Sequence, residues 1–406
     1  MGDHEVSVPR SLRVGVYDLY WSTLGGGEQV DGTIAEVLSR DHEVTLLGPQ
    51  PVDVGRTRAR LGVDLSRCGH RRVRDDLEAS AASADFDLFV NGTYLSTAVN
   101  RAANGWYYVH FPGEVRTWRD ELRSRVGMVG VRALRVAPRL PQRLREVQSA
   151  FDRRIRRVEF IPSYHHYLAN SQFTATWVRR LWGAEAEVVY PPVSPEVVPG
   201  DKQPLILVLG RFFDPSHGHS KKQHELLETF VAMHRAGSMP GWRLALVGGC
   251  DSANRDYMLA VKRAARGLPI DVHVNAPRDT VRELLAAASI YWHGSGFGED
   301  PDSHPERFEH FGISVIEAMA AGAAPIVFGA AGPAEIVRDG VDGVLWRTLG
   351  QLQQATLDLA HDGARRAHLA QNAIARADEF GADVFARQLR SLALEAAAAG
   401  PAQPVT

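Results

Sequence analysis

The feature that most constrains this chain is a rhythm. Short apolar runs rich in β-branched residues alternate with longer amphipathic stretches, and the pattern runs twice. Leu12–Tyr17, Val44–Leu47, Leu88–Val90 and Tyr107–Val109 read as buried strands, with helices at Glu28–Leu38 and Phe173–Leu181. A strand that is apolar on both faces must be covered on both faces, which parallel sheets flanked by helices achieve. The rhythm stops at Tyr190-Pro-Pro-Val193, because consecutive prolines continue neither strand nor helix. It restarts with strand Leu205–Leu209, helix Gln223–His234 and strands Leu244–Val247, Val272–Val274 and Ile290–Trp292. Helix Ile313–Ala320 and strand Pro325–Phe328 follow. With 406 residues the chain is too long for one ordinary core. The expectation is an α/β protein of two doubly wound, Rossmann-like domains, 1–192 and 193–382. The amphipathic helix 383–399 is expected to return to the first domain, and the tail 400–406 to be disordered.

Composition narrows the function classes. A formal charge of −2 makes the whole molecule no obvious polyanion binder, so no nucleic-acid partner is expected. Two cysteines, Cys68 and Cys250, form neither a disulfide framework nor a zinc pattern and suit a reducing, cytoplasmic setting. The opening residues carry no apolar core of a signal peptide, and no apolar run approaches the ~20 residues that a spanning helix needs. Any membrane association is therefore expected to be peripheral.

The most informative stretch is Glu309-His-Phe-Gly-Ile-Ser-Val-Ile-Glu317, followed by Ala-Met-Ala-Ala-Gly322. Glu309 precedes the Phe311-Gly312 turn, and Glu317 lies inside the helix that starts near Ile313. Backbone N–H groups at Ile313 and Ser314 offer an anion site for a diphosphate. Glu309 can accept hydrogen bonds from sugar hydroxyls, Glu317 from a ribose diol, and Gly312 lets the backbone come close. In the first half, His110 ends a short strand in Tyr107-Tyr-Val-His-Phe-Pro112, and strand ends in open α/β sheets are where ligands bind. A lone histidine is more often structural. Gly25-Gly-Gly-Glu28 opens a helix after a strand, but its spacing is not that of a dinucleotide fingerprint, and plain turn chemistry is the alternative.

The glutamate pair, with Phe-Gly inside it and Ala-Met-Ala-Ala-Gly behind it, resembles the E-x7-E signature of the retaining glycosyltransferases of family 4, the group 1 glycosyl transferases with the GT-B fold. Gly210-Arg-Phe and Lys221-Lys-Gln-His-Glu resemble that family's phosphate-binding Arg and Lys. Ala169-Asn-Ser-Gln-Phe-Thr, Val189-Tyr-Pro-Pro-Val193 and Ala331-Gly-Pro-Ala-Glu-Ile-Val337 resemble its other landmarks. The Val-His-Phe-Pro wording around His110 is similar to that of mannosyltransferases extending lipid-linked oligosaccharides. The resemblance implies two domains facing across a cleft, the first on the acceptor side and the second holding the nucleotide sugar. It implies sugar transfer from a nucleoside-diphosphate donor, GDP-mannose weakly favoured, to a lipid-linked or cell-envelope glycan, with retention at the anomeric carbon. His110, Arg211, Lys221 and Glu309 would carry the catalysis. Gly26, Gly27, Lys222, Phe311, Gly312, Ile313, Ser314 and Glu317 would bind the donor. No carboxylate stands out as a nucleophile, which favours front-face attack. Two departures stand out: the Lys is doubled at 221 and 222, and the loop before it is long and carries His217 and His219, which have no assigned role.

Other readings have less support. Asp300-Pro-Asp302 and Asp85-Phe-Asp87 match a two-residue Mn²⁺ pattern of another glycosyltransferase fold, but such patterns are common by chance. His293, His304 and His310 with Glu299 and Asp302 fit no strong ligand spacing, so no metal and no cofactor beyond the donor is expected. Neither a G-x-S-x-G nor a P-loop is present. An acceptor that is a soluble small molecule is the nearest alternative. A sugar-nucleotide epimerase or hydrolase, or a non-catalytic nucleotide-sugar binder, is the alternative of another class.

One segment departs from the average charge. Residues 116–157 hold thirteen arginines against four acids, an excess of +9, with apolar residues interleaved. It reads either as a solvated arginine-rich cap or as a surface for anionic lipid. On the second reading the protein co-sediments with anionic liposomes at low salt and is released at high salt, because exposed charges are screened over about 8 Å at physiological ionic strength. Protein that stays in the supernatant at low salt identifies the stretch as a cap and favours a soluble acceptor.

Overall fold

The computed structural model describes residues 10–114, 159–193 and 197–398. The arginine-rich 116–157 stretch and the 400–406 tail lie outside the described residues. The chain forms two compact units, Met1–Val189 with Ala386–Thr406, and Tyr190–Phe385. The return to the first unit falls inside the last helix, Ala382–Ala398, where Asn104 Nδ2 donates to the Ala396 carbonyl at 3.4 Å.

The first unit is a seven-stranded parallel sheet. Its strands are β1 (Arg13–Tyr17), β2 (Glu43–Gly48), β3 (Gly69–Arg72), β4 (Leu88–Asn91), β5 (Asn104–Val109), β6 (His166–Ala169) and β7 (Ala186–Val188). Their order is β3-β2-β1-β4-β5-β6-β7. The chain leaves β1 toward β2 on one side and comes back to β4 on the other, so the space beyond the carboxyl ends of β1 and β4 is a topological switch point. Helix Gly26–Leu38 begins there. Tyr107, Phe160, Tyr164, Tyr167 and Trp182 pack as an aromatic cluster against one face, with Tyr107 and Tyr164 centroids 5.2 Å apart.

The second unit is a six-stranded parallel sheet of β8 (Gln203–Leu209), β9 (Arg243–Gly248), β10 (Ile270–Val274), β11 (Ala288–His293), β12 (Ala324–Phe328) and β13 (Val344–Trp346). Its order, β10-β9-β8-β11-β12-β13, puts the switch point between β8 and β11. Strand alternation divides its core. Ile206 and Val208 face a cluster with Phe230, Trp242, Trp292 and Trp346, while Leu205 and Leu207 face one with Tyr291, Phe311, Ile316 and Phe380. A sheet buried on both sides explains why β8 reads as an unbroken apolar run.

The expected α/β, Rossmann-like class is what forms, and the long strands and helices fall within a few residues of the sequence reading. Four short strands escaped it: β3, β6, β7 and β13. β3 is Gly-His-Arg-Arg, exposed at every position, and exists because its backbone pairs with Thr45–Gly48 at the sheet edge. Close backbone contacts at the carboxyl edges are permitted by glycine. A Cβ on Gly248 would stand 2.0 Å from the Gly210 carbonyl oxygen, which is backbone and cannot step aside. Gly248→Ala is expected to destabilise the second unit by about 2 kcal/mol or more, measured as a lower urea midpoint. A midpoint equal to wild type would show that the two strand ends part without cost.

Candidate functional site

At the second unit's switch point, β8 runs out into Gly210 and Arg211. Gln223 braces this exit, its Nε2 donating to the Gly210 carbonyl at 3.1 Å and the Arg211 carbonyl at 2.9 Å. Arg211 is exposed and its guanidinium lies 4.9 Å from the Phe213 ring centroid. The Lys221 stem crosses Gly210 so closely that a Cβ there would sit 2.7 Å from its Cγ. That path delivers the Lys221 ammonium to the Glu309 carboxylate, with both side chains largely buried. From the end of β11, His293 Nε2 reaches the same Glu309 oxygen at 3.3 Å. Burial by itself would push the Glu309 carboxyl up, but Lys221 and His293 outweigh it and hold the group well below the usual carboxylate range. Separating a buried pair of this kind leaves an uncompensated charge at a cost of about 3–5 kcal/mol.

The two adjacent lysines point to different partners. Lys222 takes a left-handed conformation (φ 56°) ahead of helix Gln223–Arg235, and its Nζ donates to Glu299 at 2.7 Å. Arg307 Nη1 donates to the other Glu299 oxygen at 3.0 Å. The Lys222 ammonium is thus committed to anchoring the 294–308 segment, and Lys221 is the lysine at the Glu309 carboxylate.

Three histidines surround the ion pair. His219, which the sequence left without a role, is lowered to about 4 by burial and the nearby Lys221 charge, and His310 is lowered to about 3 by burial. Their ring centroids are 6.4 Å apart. Both imidazoles are therefore neutral near pH 7. The His217 side chain lies outside the described residues. His304 is exposed beside Glu306. Among the described residues no group of three or more His, Cys, Asp or Glu is arranged to hold a metal ion.

Helix Ile313–Ala320 starts at Gly312, whose φ of 122° is open to glycine. No side chain caps this start, so the first-turn N–H groups of Ile313 and Ser314 have no intrahelical acceptor. Ser314 Oγ accepts a bond from Tyr291 at 2.9 Å. The Phe311 ring is core rather than surface, stacked 5.6 Å from Tyr190 and edge-on to Phe380 at 5.9 Å. Any contact of Phe311 with a ligand falls to its backbone. Gly332 lets the next segment close behind the turn: its N–H donates to the Glu309 carbonyl at 3.0 Å, and a Cβ would meet the Phe311 carbonyl at 2.2 Å.

At the first unit's switch point, His110 Nε2 lies 3.1 Å from the Gly92 carbonyl oxygen, and the ring packs on Gly27, where a Cβ would be 3.5 Å from Nε2. Burial lowers the His110 pKa. The glycine turn is already met by an acid of its own, because Glu28 accepts the Gly25 N–H. Near it lie Asp18 and Asp31, 2% and 1% exposed; after burial, the Glu28 charge raises both, and the Asp18 charge also raises Asp31. Burial pushes Asp18 up to about 7 and Asp31 well above the carboxylate range, so at neutral pH the pair holds at least one proton. Nothing in the sequence pattern singled out these two aspartates. Gly92 makes room for the Asp31 carboxyl, since a Cβ there would stand 1.7 Å from Oδ1.

Glu317 provides a test of this electrostatic picture. Burial pushes it up to about 7, with Arg278 pulling the other way. A raised acid contributes stability that is full below its unfolded pKa and is lost as pH rises through its folded pKa. Glu317→Gln is expected to match wild type in Tm at pH 5 and to exceed it by a few degrees, roughly, at pH 8. A variant no more stable at pH 8 would mean that ionised Glu317 is fully compensated.

The described residues contain no helix long and apolar enough to cross a membrane. Residues 194–376 match the family model "Glycosyl transferases group 1". Among curated proteins, the GDP-Man:Man(3)GlcNAc(2)-PP-Dol alpha-1,2-mannosyltransferase of Dictyostelium discoideum is 28% identical over 242 residues, 54% of this chain and 45% of the relative. The Homo sapiens protein of the same name is 28% identical over 190 residues, 41% of this chain and 34% of the relative. The chain thus spans less than half the length of these relatives. Among solved structures, Anabaena HepE in complex with UDP and glucose superposes with a TM-score of 0.65 at 15% identity, covering 95% of this chain and 100% of that one. Sucrose-phosphate synthase from Thermosynechococcus elongatus superposes with a TM-score of 0.66 at 17% identity, covering 96% and 100%. The two parallel-sheet units of this chain have the GT-B fold class, and residues 194–376 match a glycosyl transferases group 1 domain.

Proposed function

We propose that the protein is a retaining, metal-independent glycosyltransferase that takes a sugar from a nucleoside-diphosphate donor. The observation that carries this reading is the pairing of Lys221 with Glu309 beside Arg211 and the uncapped start of helix Ile313–Ala320. Departure of a diphosphate builds negative charge, and Arg211, Lys221 and the helix start supply the positive potential that stabilises it. Glu309 orients the sugar and Glu317 the ribose. His110, at the first unit's own switch point, is assigned to the acceptor. Glu309 shares its charge with two donors, which suits it to hydrogen-bonding a sugar better than to attacking one. Front-face attack follows, with the leaving phosphate taking the acceptor's proton.

The curated relatives' names favour GDP-mannose as donor and a lipid-linked glycan as acceptor. The test is release of nucleoside diphosphate from GDP-mannose, UDP-glucose, ADP-glucose and dTDP-glucose, with a cell-envelope lipid extract as acceptor source and with or without EDTA. GDP-mannose is expected to be turned over, undiminished by EDTA, and Arg211→Ala to lose about a hundredfold or more, equivalent to roughly 2.7 kcal/mol at the transition state. Wild-type turnover by a folded Arg211→Ala protein, or loss on chelation restored by Mn²⁺, would overturn the phosphate assignment. Release without any transfer to lipid would move the reading to a hydrolase or to a soluble acceptor.

A further inference from the structure

We propose that His293 is a positioning residue for Glu309, holding that carboxylate in place when Lys221 turns from it to the donor diphosphate. The inference rests on the reading of Glu309 as the sugar contact.

Glu309 is met by two donors of different character. Lys221 sits on the loop that follows β8, and its ammonium rides on a flexible four-carbon stem. His293 is the last residue of β11, paired in register with Val327 of β12 in the middle of the sheet. Its backbone is fixed as well, since its carbonyl accepts Trp346 Nε1 at 3.2 Å, and its side chain is 3% exposed. One donor can move, and the other cannot.

A diphosphate arriving beside Arg211 competes for the Lys221 ammonium. As Lys221 turns, Glu309 loses the partner that contributes most to keeping it ionised, and a carboxylate left alone in this largely buried place would take up a proton or swing away. His293 prevents both. Its Nε2 is 3.3 Å from the Glu309 oxygen, and its Nδ1 is buried with no partner among the described residues. Those two facts select the tautomer. A proton on Nε2 satisfies the carboxylate and leaves a lone pair buried, whereas a proton on Nδ1 would aim a lone pair at the carboxylate and bury an unmet N–H. The other titratable groups around Glu309 include Lys221, His219, His310 and Tyr291; burial keeps the two imidazoles neutral and raises the Tyr291 phenol, so none of these three replaces Lys221 as a positive charge. His293 thus supplies a neutral, rigid hydrogen bond that does not compete with the donor for charge.

The experiment measures nucleoside-diphosphate release from GDP-mannose and GDP affinity for wild type, His293→Phe, His293→Gln, Glu309→Gln and the His293→Phe/Glu309→Gln double variant. His293→Gln keeps an N–H near the Nε2 position, and His293→Phe fills the space without one. Expected are a kcat about tenfold or more lower in His293→Phe with GDP affinity within about threefold of wild type, and recovery in His293→Gln. In the Glu309→Gln background, His293→Phe should have no further effect, because coupled residues are non-additive. Should His293→Phe not fold, His293→Asn, whose shorter amide does not reach Glu309, takes its place. A His293→Phe kcat equal to wild type, a His293→Gln no better than His293→Phe, or effects that multiply in the double variant would overturn the inference while leaving Glu309 as the sugar contact. Unchanged turnover in Glu309→Gln, or no release from GDP-mannose by wild type, would overturn the underlying reading and the inference with it.

Discussion

A charge removed from water must be met by another, and in the second unit that requirement is answered at the carboxyl edge of the sheet. Glu309 and Lys221 approach from separate loops, 88 residues apart in sequence, and meet beside β8 and β11. Bringing them together needs a glycine at 210 for the lysine stem to cross, a glycine at 248 to bring β9 close to that crossing, and a glycine at 332 to close behind Glu309. The pair therefore depends on strand order as much as on charge. Only at the switch point do β8 and β11 lie side by side with their loops diverging, leaving an edge where a buried ion pair stays open to a ligand.

The same architecture in the first unit gives the opposite electrostatics. There the glycine turn precedes a long helix whose positive end would suit an anion. Glu28 already accepts from that turn, and Asp18 and Asp31 lie near it. A turn with its own acids offers a diphosphate less than the uncapped start at Ile313 does. A Cβ on Gly27 would sit 3.5 Å from His110 Nε2, an ordinary contact, so packing against His110 alone does not require a glycine there. Neutral hydroxyls, which donate and accept, are better matched to this end of the first unit than phosphate oxygens are.

The sequence was legible where burial imposes a pattern. β8, β9 and β11 are covered on both faces, so their apolar runs announce them. β3 is held only by backbone hydrogen bonds at an edge, and Gly-His-Arg-Arg carries no trace of that. The Glu309–Glu317 pair was readable because both residues lie in one short stretch, a turn running into helix Ile313–Ala320. The meeting of His219, His293 and His310 around Glu309 was not, because three separate segments bring them there. Phe311 lies inside the motif, yet its ring is spent on the Tyr190–Phe380 packing, a contact that local spacing does not reveal.

The doubled lysine shows why such a question needs the fold. Adjacent residues in an extended loop point to opposite sides; the sequence favours Lys221 by its distance to Phe230 but leaves Lys222 open. The left-handed backbone at Lys222 decides between them. It ends the loop abruptly, starts helix Gln223–Arg235, and turns the Lys222 side chain toward Glu299. Strain of this kind costs about 1–3 kcal/mol and persists only where surrounding contacts over-determine it. Here they do: the Lys222 N–H donates to Ser220 Oγ at 3.1 Å, and its ammonium joins Glu299, which Arg307 also holds. Two cations on one carboxylate anchor the 294–308 segment without spending Lys221. The second lysine is thus what frees the first to serve Glu309 and, on the proposed reading, the donor.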